Sequence, residues 1–366
     1  MMADETLFRL ALVGDVALGN HPKTPGFGFY SRYIQGIPKI LCQRILPAGV
    51  RPDVLFGNLE FALANDARHP GTNACCLGSD TYVRFLRESG FTVLNVANNH
   101  AWQYGDAFFR ETVNALKGTG IKVVGIPDDF EPAGFVQIKG STVAFLGCSA
   151  RPRQGFQGSP GYNEFDEGGF LQRIRDARRH ADLVCVSVHW GEEFLPIASP
   201  WERGIAHAMI DAGAAVVVGH HPHILKEIET WRDGLIAYSL GNFIGDMIWN
   251  PVTRETGCLI VEARNSRVIS NTFFPAAIER DFFPLYLDPP SSRKILEERT
   301  ARHARLAIQL KSFPYESLAR RALRRHQWLT LGFVLRNVFR YRLATLAEIL
   351  YEAMKVRLQR YQRVRP

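Results

Sequence analysis

Residues 214–223 read AAVVVGHHPH, and this stretch decides the fold class. Its run of small and β-branched residues predicts a strand buried on both faces, as in a sheet that is covered on both sides. The histidines follow at the point where that strand ends. Apolar runs of the same kind recur through the first 290 residues, in LFRLALVGD (7–15), PDVLFGNLE (52–60), FTVLNVANNH (91–100), IKVVGI (121–126), TVAFLGCSA (142–150), ADLVCVSVHWG (181–191) and LIAYSLGNF (235–243).

Helical patterns separate several of these strands. They cover residues 79–89, 108–118, 170–180 and 201–213. The alternation of strand and helix predicts an α/β protein. Two segments, 134–147 and 226–241, each read as two strands joined by a tight turn, so we expect antiparallel strands within a mixed sheet.

Histidines and other polar residues concentrate where the predicted strands end. The set comprises five of the 11 histidines, two acids and three asparagines, namely His100, His189, His220, His221, His223, Asp15, Glu60, Asn58, Asn98 and Asn99. Taken singly, an acid after a strand can cap a helix and an Asn-Asn pair can form a turn. Because ligands of open α/β sheets gather at the carboxyl ends of strands, the coincidence over five loops indicates one shared site.

The residue types of this set indicate a divalent metal. Asp, Glu, Asn and His are ligands of Mn²⁺, Zn²⁺ or Fe²⁺, and no cysteine lies beside them. In an extended segment, His221 and His223 would lean the same way, which suits two adjacent metals. Glu60 could bridge metals ~3.5–4 Å apart, and the pair would bring the pKa of bound water toward ~7 and so supply hydroxide. We therefore predict two divalent metal ions as cofactors.

Composition excludes several other classes of protein. The chain has 366 residues, 46% of them hydrophobic and 22% charged, as in a globular protein with one large core. We expect a cytoplasmic protein, since no apolar run approaches the ~18 residues of a transmembrane helix and the opening residues lack the cations of a secretory signal. Six scattered cysteines predict reduced thiols rather than a disulfide framework.

Without a phosphate loop, a GxGxxG after a strand or a GxSxG elbow, the sequence argues against a self-sufficient ATP-dependent ligase, a dehydrogenase and a serine hydrolase.

The net positive charge of the chain comes from its C-terminal segment. Residues 293–366 carry 18 Lys and Arg against five acids, which leaves a net charge of −5 on the rest of a chain whose total is +8. We predict a domain over residues 1–290, a linker at Pro289-Pro290-Ser291-Ser292 and a basic helical extension over residues 291–366. The extension could pack on the domain or on another copy of the chain, or lie on an anionic membrane surface. Nucleic-acid binding has less support, because the body of the chain is acidic.

Six motifs that occur in order resemble the poly-γ-glutamate capsule-synthesis (CapA) family, a branch of the calcineurin-like metallophosphoesterase superfamily. The resemblance covers about residues 8–250. It implies a four-layer αββα sandwich of mixed sheets with a dinuclear metal site at one edge. The motifs are Gly14-Asp15, Gly57-Asn58-Leu59-Glu60, Ala97-Asn98-Asn99-His100, His189-Trp190-Gly191-Glu192, Gly219-His220-His221-Pro222-His223 and Tyr238-Ser239-Leu240-Gly241-Asn242-Phe243.

The resemblance also implies roles for individual residues. It makes His100 the acid that protonates the leaving group. The implied metal ligands are Asp15 for the first metal, Asn99 and His189 for the second, Glu60 as the bridge, and His221 and His223 divided between the two. Four further residues would surround the ligands or line the substrate cleft: Asn58, Asn98, His220 and Asn242.

The sequence departs from the superfamily pattern at two positions. Where most members have Asp-x-His, this chain has Ala17, as is usual in the capsule-synthesis branch, so we expect a weak first metal site unless Asn20 or His21 completes it. The branch also commonly has an aspartate shortly after Asn-Asn-His. That carboxylate, which would orient His100, is missing here unless Asp106 replaces it.

Three functions fit these observations. The first is a metal-dependent hydrolase of phosphoesters. The second is an amide- or acyl-transfer enzyme or accessory protein in the synthesis of a poly-γ-glutamate-like or other amide-linked product, because a metal pair also polarises a carbonyl. The third is a non-catalytic assembly subunit, against which His100 argues because it is not a ligand. Arg151 and Arg153 could hold a phosphate or carboxylate of a small or polymeric substrate, although a solvated arginine loop would have the same sequence.

Overall fold

The computed structural model of the protein describes residues 7–65, 67–127, 134–151 and 160–349. Its strands, in chain order, are β1 (Phe8–Val16), β2 (Val54–Leu59), β3 (Ala62–Ala64), β4 (Leu77–Ser79), β5 (Phe91–Asn95), β6 (Lys122–Val124), β7 (Phe135–Ile138), β8 (Ser141–Ser149), β9 (Leu183–His189), β10 (Val216–His220), β11 (Ile228–Trp231), β12 (Gly234–Ala237), β13 (Asn242–Ile244), β14 (Glu255–Arg264), β15 (Arg267–Ile278) and β16 (Pro284–Tyr286). Its helices are α1 (Phe29–Arg32), α2 (Tyr82–Glu88), α3 (Asp106–Gly118), α4 (Glu167–His180), α5 (Pro200–Asp211), α6 (Pro251–Arg254), α7 (Pro289–Leu310) and α8 (Tyr315–Arg336), with 3-10 segments at Lys39–Arg44 and Val338–Arg340.

Two mixed sheets form the centre of the molecule. The first has the order β16-β15-β14-β1-β2-β5-β6, and β13 also pairs with β1. Its strands β1, β2, β5 and β6 run parallel, whereas β14, β15 and β16 form antiparallel pairs. The second sheet has the order β11-β12-β10-β9-β8-β7, with a parallel centre and an antiparallel pair at each edge. Both edge pairs are the hairpins that the sequence predicts.

The two sheets pack face to face, and helices cover their outer faces. In β1, Leu10 and Leu12 are buried between the sheets, whereas Ala11 and Val13 lie in the outer layer with residues of α2 and α3. The ring of Phe56 in the first sheet stacks on Phe145 in the second, with centroids 5.6 Å apart. Helices α4 and α5 cover the outer face of the second sheet. Strand residues alternate between the two faces, so both faces of each sheet are apolar. The other sheet covers one face and helices cover the other. The predicted four-layer αββα sandwich is confirmed.

The C-terminal segment begins differently from our expectation. The predicted linker Pro289-Pro290-Ser291-Ser292 is wrong, because these residues form the first turn of α7, where Asp288 accepts a hydrogen bond from the Ser291 backbone N–H at 2.8 Å. Proline suits this turn, since its missing N–H would have no partner within the helix anyway. The domain boundary at residue 290 stays a prediction.

Helices α7 and α8 pack on the domain. Arg299 of α7 donates to the Lys226 carbonyl at 3.0 Å. Leu318 of α8 lies in an apolar cluster with Leu195 and Ile197 of the domain. The extension therefore covers apolar surface next to the segment that follows β9.

Two observations concern membrane spanning and the thiols. No helix in the described part of the chain is long and apolar enough to span a membrane. The cytoplasmic location stays a prediction. All six cysteines are free and four of them are buried, which agrees with structural thiols.

Candidate metal centre

The sheet register places the candidate residues side by side at one edge of the sandwich. In the first sheet, Asp15 pairs with Asn58 of β2 on one side and with Asn242 of β13 on the other. In the second sheet, His189 pairs with His220 of β10. The residue before Asp15 has to be glycine, because a Cβ at that position would lie 2.0 Å from the carbonyl oxygen of residue 241, to which the Asp15 N–H donates at 2.9 Å.

Asn58 positions the two carboxylates of the site. Its Nδ2 donates to Asp15 Oδ1 and to Glu60 Oε2, each at 2.8 Å. Its own Oδ1 accepts from Asn95 Nδ2 at 2.9 Å. All four side chains are buried. One amide therefore holds two acids that would otherwise repel each other, as a support behind metal ligands should.

Asn99, His189 and Glu60 converge although they come from both sheets. His189 Nε2 lies 2.8 Å from Asn99 Oδ1 and 3.7 Å from Glu60 Oε1. Donors ~2.0–2.2 Å from one zinc ion can be at most ~4.3 Å apart, so one ion could bind all three residues if it lay between them. Glu60, His189 and His221 together form a group whose ligand atoms lie within 4.8 Å of one another.

The His221–His223 loop is not the extended segment that we expected. His221 has φ +93° and His223 has φ +59°, so the chain turns sharply at both residues. The imidazole centroids nevertheless lie 5.7 Å apart. His223 Nδ1 donates to Asn242 Oδ1 at 2.9 Å, which leaves Nε2 as the ring nitrogen free to bind a metal. The expected proximity holds, but bends rather than a β-conformation produce it.

Several buried polar atoms at this edge lack a hydrogen-bond partner among the described residues. They are Glu60 Oε1, His189 Nδ1, His220 Nε2 and both ring nitrogens of His221. Leaving a buried polar group unpaired costs ~1–3 kcal/mol, so such groups are rare in folded proteins. A cluster of unpaired oxygen and nitrogen donors fits a divalent metal, because the donors then gain a partner.

Burial and neighbouring charges set the protonation of these groups. Burial lowers the pKa of His189 and of His221 well below the usual value, so both imidazoles are neutral at pH 7 and can donate a lone pair. Burial raises the pKa of Glu60 well above its usual value, and Asp15 raises it further. Burial alone would also raise the pKa of Asp15, but the adjacent histidines, first of all His220, hold it below its usual value. An added cation would favour ionisation of Glu60 as well.

His100 lies beside this group and contacts a different partner from the one we expected. Its Nδ1 lies 2.8 Å from Gln103 Oε1, and its ring meets Phe61 edge to face. Burial lowers the pKa of His100 to about 4. Asp106, the predicted substitute for the missing aspartate, instead binds Arg110 on the exposed side of α3, so that expectation is wrong.

Of the residues predicted to surround the ligands, His220 and Asn242 contact ligand side chains, whereas Asn98 contacts the backbone. His220 is fully buried and its Nδ1 lies 3.2 Å from Asp15 Oδ1, behind the carboxylate. Asn242 accepts a hydrogen bond from His223.

Asn98 fixes the local backbone. Its Oδ1 accepts from the N–H groups of His100 and Ala101, and its Nδ2 donates to the Leu59 carbonyl. Asn98 is thus a turn residue that positions Asn99 and His100.

The predicted substrate-binding arginines are only partly described. Arg151 follows β8 and its Nη1 lies 3.1 Å from Glu192 Oε1. Arg153 lies outside the described residues. Asn20, considered as an extra ligand, instead binds the Ser31 hydroxyl of α1 and the carbonyl of Thr72, which lies between β3 and β4. The His21 N–H donates to Asp246.

Three residues at the site escaped the sequence reasoning. Asn95 and Gln103 support Asn58 and His100, and their types alone carry no signal in the sequence. Glu193 has its Oε1 3.9 Å from His221 Nε2 and forms a second candidate group with His221 and His223. Glu193 stands one residue beyond the His-Trp-Gly-Glu motif. Its closeness to His189 in the sequence was the signal that could have suggested it as a ligand.

Comparisons with known proteins give the family. Residues 9–247 match the family described as "Bacterial capsule synthesis protein PGA_cap". The "PGA biosynthesis protein CapA" of Bacillus subtilis (strain 168) is 38% identical over 266 residues, which cover 67% of this chain and 65% of that protein. The "Capsule biosynthesis protein CapA" of Bacillus anthracis is 32% identical over 254 residues, covering 66% of this chain and 60% of that protein.

The chain thus spans less than two thirds of the length of these curated relatives. A solved structure of a hypothetical protein from Thermus thermophilus matches 73% of this chain and 98% of its own, with 18% identity and a TM-score of 0.45. The family match covers more than half of the chain and includes every candidate ligand. The chain therefore belongs to the PGA_cap family of bacterial capsule synthesis proteins, the CapA family, within the metallophosphoesterase-like superfamily.

Proposed function

We propose that the chain is a metal-dependent hydrolase of phosphoesters that uses two divalent ions, Mn²⁺, Zn²⁺ or Fe²⁺. One observation carries the proposal: buried oxygen and nitrogen donors from both sheets face one another without hydrogen-bond partners of their own among the described residues. The ligands in this proposal are Asp15, Glu60, Asn99, His189, His221 and His223.

When bound, two divalent ions polarise a phosphoryl oxygen and supply a nucleophilic water at neutral pH. The protein side chains do the rest. Asn58 keeps Asp15 and Glu60 in place, and Asn242 orients His223. Gln103 fixes the ring of His100 beside the ligands. With a pKa of about 4 this imidazole is neutral at pH 7 in the free protein, so it would protonate the leaving oxygen only when the negative charge of a bound phosphoester raises that pKa.

Arg151 supports a substrate with a negative charge. It stands where β8 ends, on the same side of the sandwich as His189, and its guanidinium already binds the carboxylate of Glu192. A phosphate or carboxylate of a small or polymeric substrate could replace that contact with a forked pair of hydrogen bonds.

The proposal is tested by metal analysis of protein purified without added metal. Glu60→Ala and His221→Ala should each sharply lower the bound metal, whereas the surface controls Glu262→Ala and His180→Ala should retain it. A normal metal content in both site variants would refute the dinuclear assignment.

A substrate screen then separates the chemistries. Phosphoesters and γ-glutamyl or other amides should be tested with Mn²⁺, Zn²⁺ and Fe²⁺, and we expect hydrolysis of phosphoesters only. Activity on amides alone would favour the second candidate, an amide- or acyl-transfer role, which the printed name of the Bacillus subtilis relative, a PGA biosynthesis protein, supports. No activity with any metal would favour a non-catalytic assembly subunit.

We also propose that the C-terminal helices contact an anionic membrane surface. The support is a set of exposed apolar side chains among arginines: Trp328, Leu335, Phe339 and Leu343. The full chain should sediment with anionic but not neutral vesicles, and the Trp328→Ala/Phe339→Ala variant should sediment less. Equal sedimentation of the variant would refute the proposal, and self-association that the same variant abolishes would instead identify a contact between copies.

A further inference from the structure

Glu193 lies in a tight segment that directly follows β9. Gly191 has φ +80° and Phe194 has φ +64°, so the chain turns back over the edge of the sheet. The Phe194 N–H donates to the Pro222 carbonyl at 3.0 Å, which ties this segment to the loop of His221 and His223. A positive φ at phenylalanine persists only where the surrounding contacts enforce it. The position of Glu193 beside the histidines is therefore built into the fold.

The carboxylate of Glu193 faces the two histidines. Its Oε1 lies 3.9 Å from His221 Nε2, a separation that a single ion ~2.0–2.2 Å from each atom could span. The ligand atoms of Glu193, His221 and His223 all lie within 4.8 Å of one another. The neighbouring acid, Glu192, points elsewhere and binds Arg151.

An independent observation shows that this group is more than a surface acid. His221 is 2% exposed, and neither of its ring nitrogens has a hydrogen-bond partner among the described residues. His221 belongs to both candidate ligand groups, the one with Glu60 and His189 and the one with Glu193 and His223. A buried imidazole that has no hydrogen-bond partner and lies near two carboxylates is what is expected of a metal ligand.

Glu193 could also replace the ligand that the first metal lacks. The loop after β1 has Ala17 at the position of the superfamily's imidazole, so Asp15, Glu60 and one histidine are the first metal's only protein ligands in the assignment above. His223 Nδ1 lies 3.9 Å from Asp15 Oδ2, so the group of Glu193, His221 and His223 adjoins the Asp15 side of the site. A carboxylate from the β9 loop can then replace the missing donor from the β1 loop.

We infer that Glu193 is a protein ligand of the first metal and substitutes for the imidazole that is absent at Ala17. This inference rests on the proposed metal-dependent function. It adds a seventh ligand, from a loop to which the family pattern assigns only His189.

Metal binding by the full chain tests the inference without any assay of activity. The protein is stripped with a chelator and titrated with Zn²⁺, and separately with Mn²⁺, by calorimetry, with bound metal counted after desalting. For Glu193→Gln we expect the weaker binding event to lose at least about 10-fold in affinity, since even residues that only support ligands contribute 10–100-fold. The tighter event should change less than about twofold. Glu192→Gln, which removes the same charge one residue earlier, should leave both events unchanged.

The outcomes separate this inference from the proposed function. If Glu193→Gln matches the unmodified protein while Glu60→Ala loses metal, Glu193 is not a ligand and the metal-dependent function still stands. An equal loss in Glu192→Gln would show that charge alone matters, and this would overturn the inference. If the unmodified protein binds neither ion, the proposed function fails and the inference fails with it. Equal melting temperatures of the stripped variants would confirm that folding is not the cause of a loss.

Discussion

The imidazole of His326 stacks face to face on the ring of Phe194, with centroids 3.7 Å apart and planes 4° apart. His326 belongs to α8, whereas Phe194 follows Glu193 and also stacks near His223 at 6.1 Å. His326 Nδ1 accepts a hydrogen bond from Asn250 Nδ2 at 3.0 Å. Helix α8 therefore packs against the loop that carries Glu193, the most exposed of the candidate ligands.

This stack predicts an acid-sensitive attachment of α8. Burial lowers the pKa of His326 to about 4 from 6.5, so the unfolded chain binds the proton more readily than the folded one. The free energy of unfolding should therefore fall as the pH drops from 6.5 toward 4, by up to about 3 kcal/mol from this group. In His326→Gln that part of the pH dependence should disappear. Urea unfolding at pH 7, 5.5 and 4.5 measures it, and parallel curves for the two proteins would contradict the prediction.

Removal of the C-terminal helices should destabilise the domain. A chain ending at residue 288 would expose Leu195 and Ile197, which Tyr315 and Leu318 of α8 now cover. Exposed apolar clusters of this kind favour aggregation. We expect a lower melting temperature and aggregation in light scattering. A monomeric, metal-loaded protein of unchanged stability would instead show that the helices are an independent arm.

Substitution of His100 should separate proton transfer from metal binding. General acid catalysis typically contributes ~10²–10⁴-fold in rate, so His100→Asn should lose activity mainly on substrates with poor leaving groups. Its metal content should equal that of the unmodified protein. Comparison of an alkyl with a nitrophenyl phosphoester, alongside metal analysis, measures both effects. Loss of metal would make His100 a ligand.

The two metals should bind with unequal affinity. The Asn99/His189 position has three buried donors at short range, whereas the Asp15 position lacks an imidazole at Ala17. Titration of the stripped protein with Mn²⁺ or Zn²⁺ should give a tight and a weaker event. Ala17→His should tighten the weaker one if its side chain reaches the metal. Two equally tight events in the unmodified protein would contradict this prediction.

Most of the fold followed from local pattern in the sequence. The apolar run of residues 214–218 could only be a buried element, and its length and β-branched residues made it a strand. The turns at Lys139 and Arg232 were visible because each lies next to Gly or Asp between two strand-like runs. Pairing of distant strands, such as Asp15 with Asn242, depends on packing between elements and has no local signal.

The incorrect expectations have physical causes. Proline at Pro289 suggests a linker, but proline also suits the first turn of a helix that Asp288 caps. The loop at His221 bends through positive φ at His221 and His223, a backbone conformation that the His-Pro-His pattern does not predict. Gln103 escaped notice because an amide can replace the carboxylate expected beside His100, and the sequence does not distinguish an orienting amide from a surface one.

The candidate ligands come from two separate sheets. Asp15 lies in β1 and Glu60 follows β2 of one sheet, whereas His189 ends β9 and His221 follows β10 of the other. The two sheets meet through packing such as that of Phe56 on Phe145. A bound ion would cross-link the two halves of the sandwich at its edge. A slide of one sheet over the other by about an ångström would move donors out of bonding range, since metal–ligand distances tolerate only ~0.2 Å. The packing between the sheets, remote from any substrate, would thereby set how tightly this edge holds a bound ion.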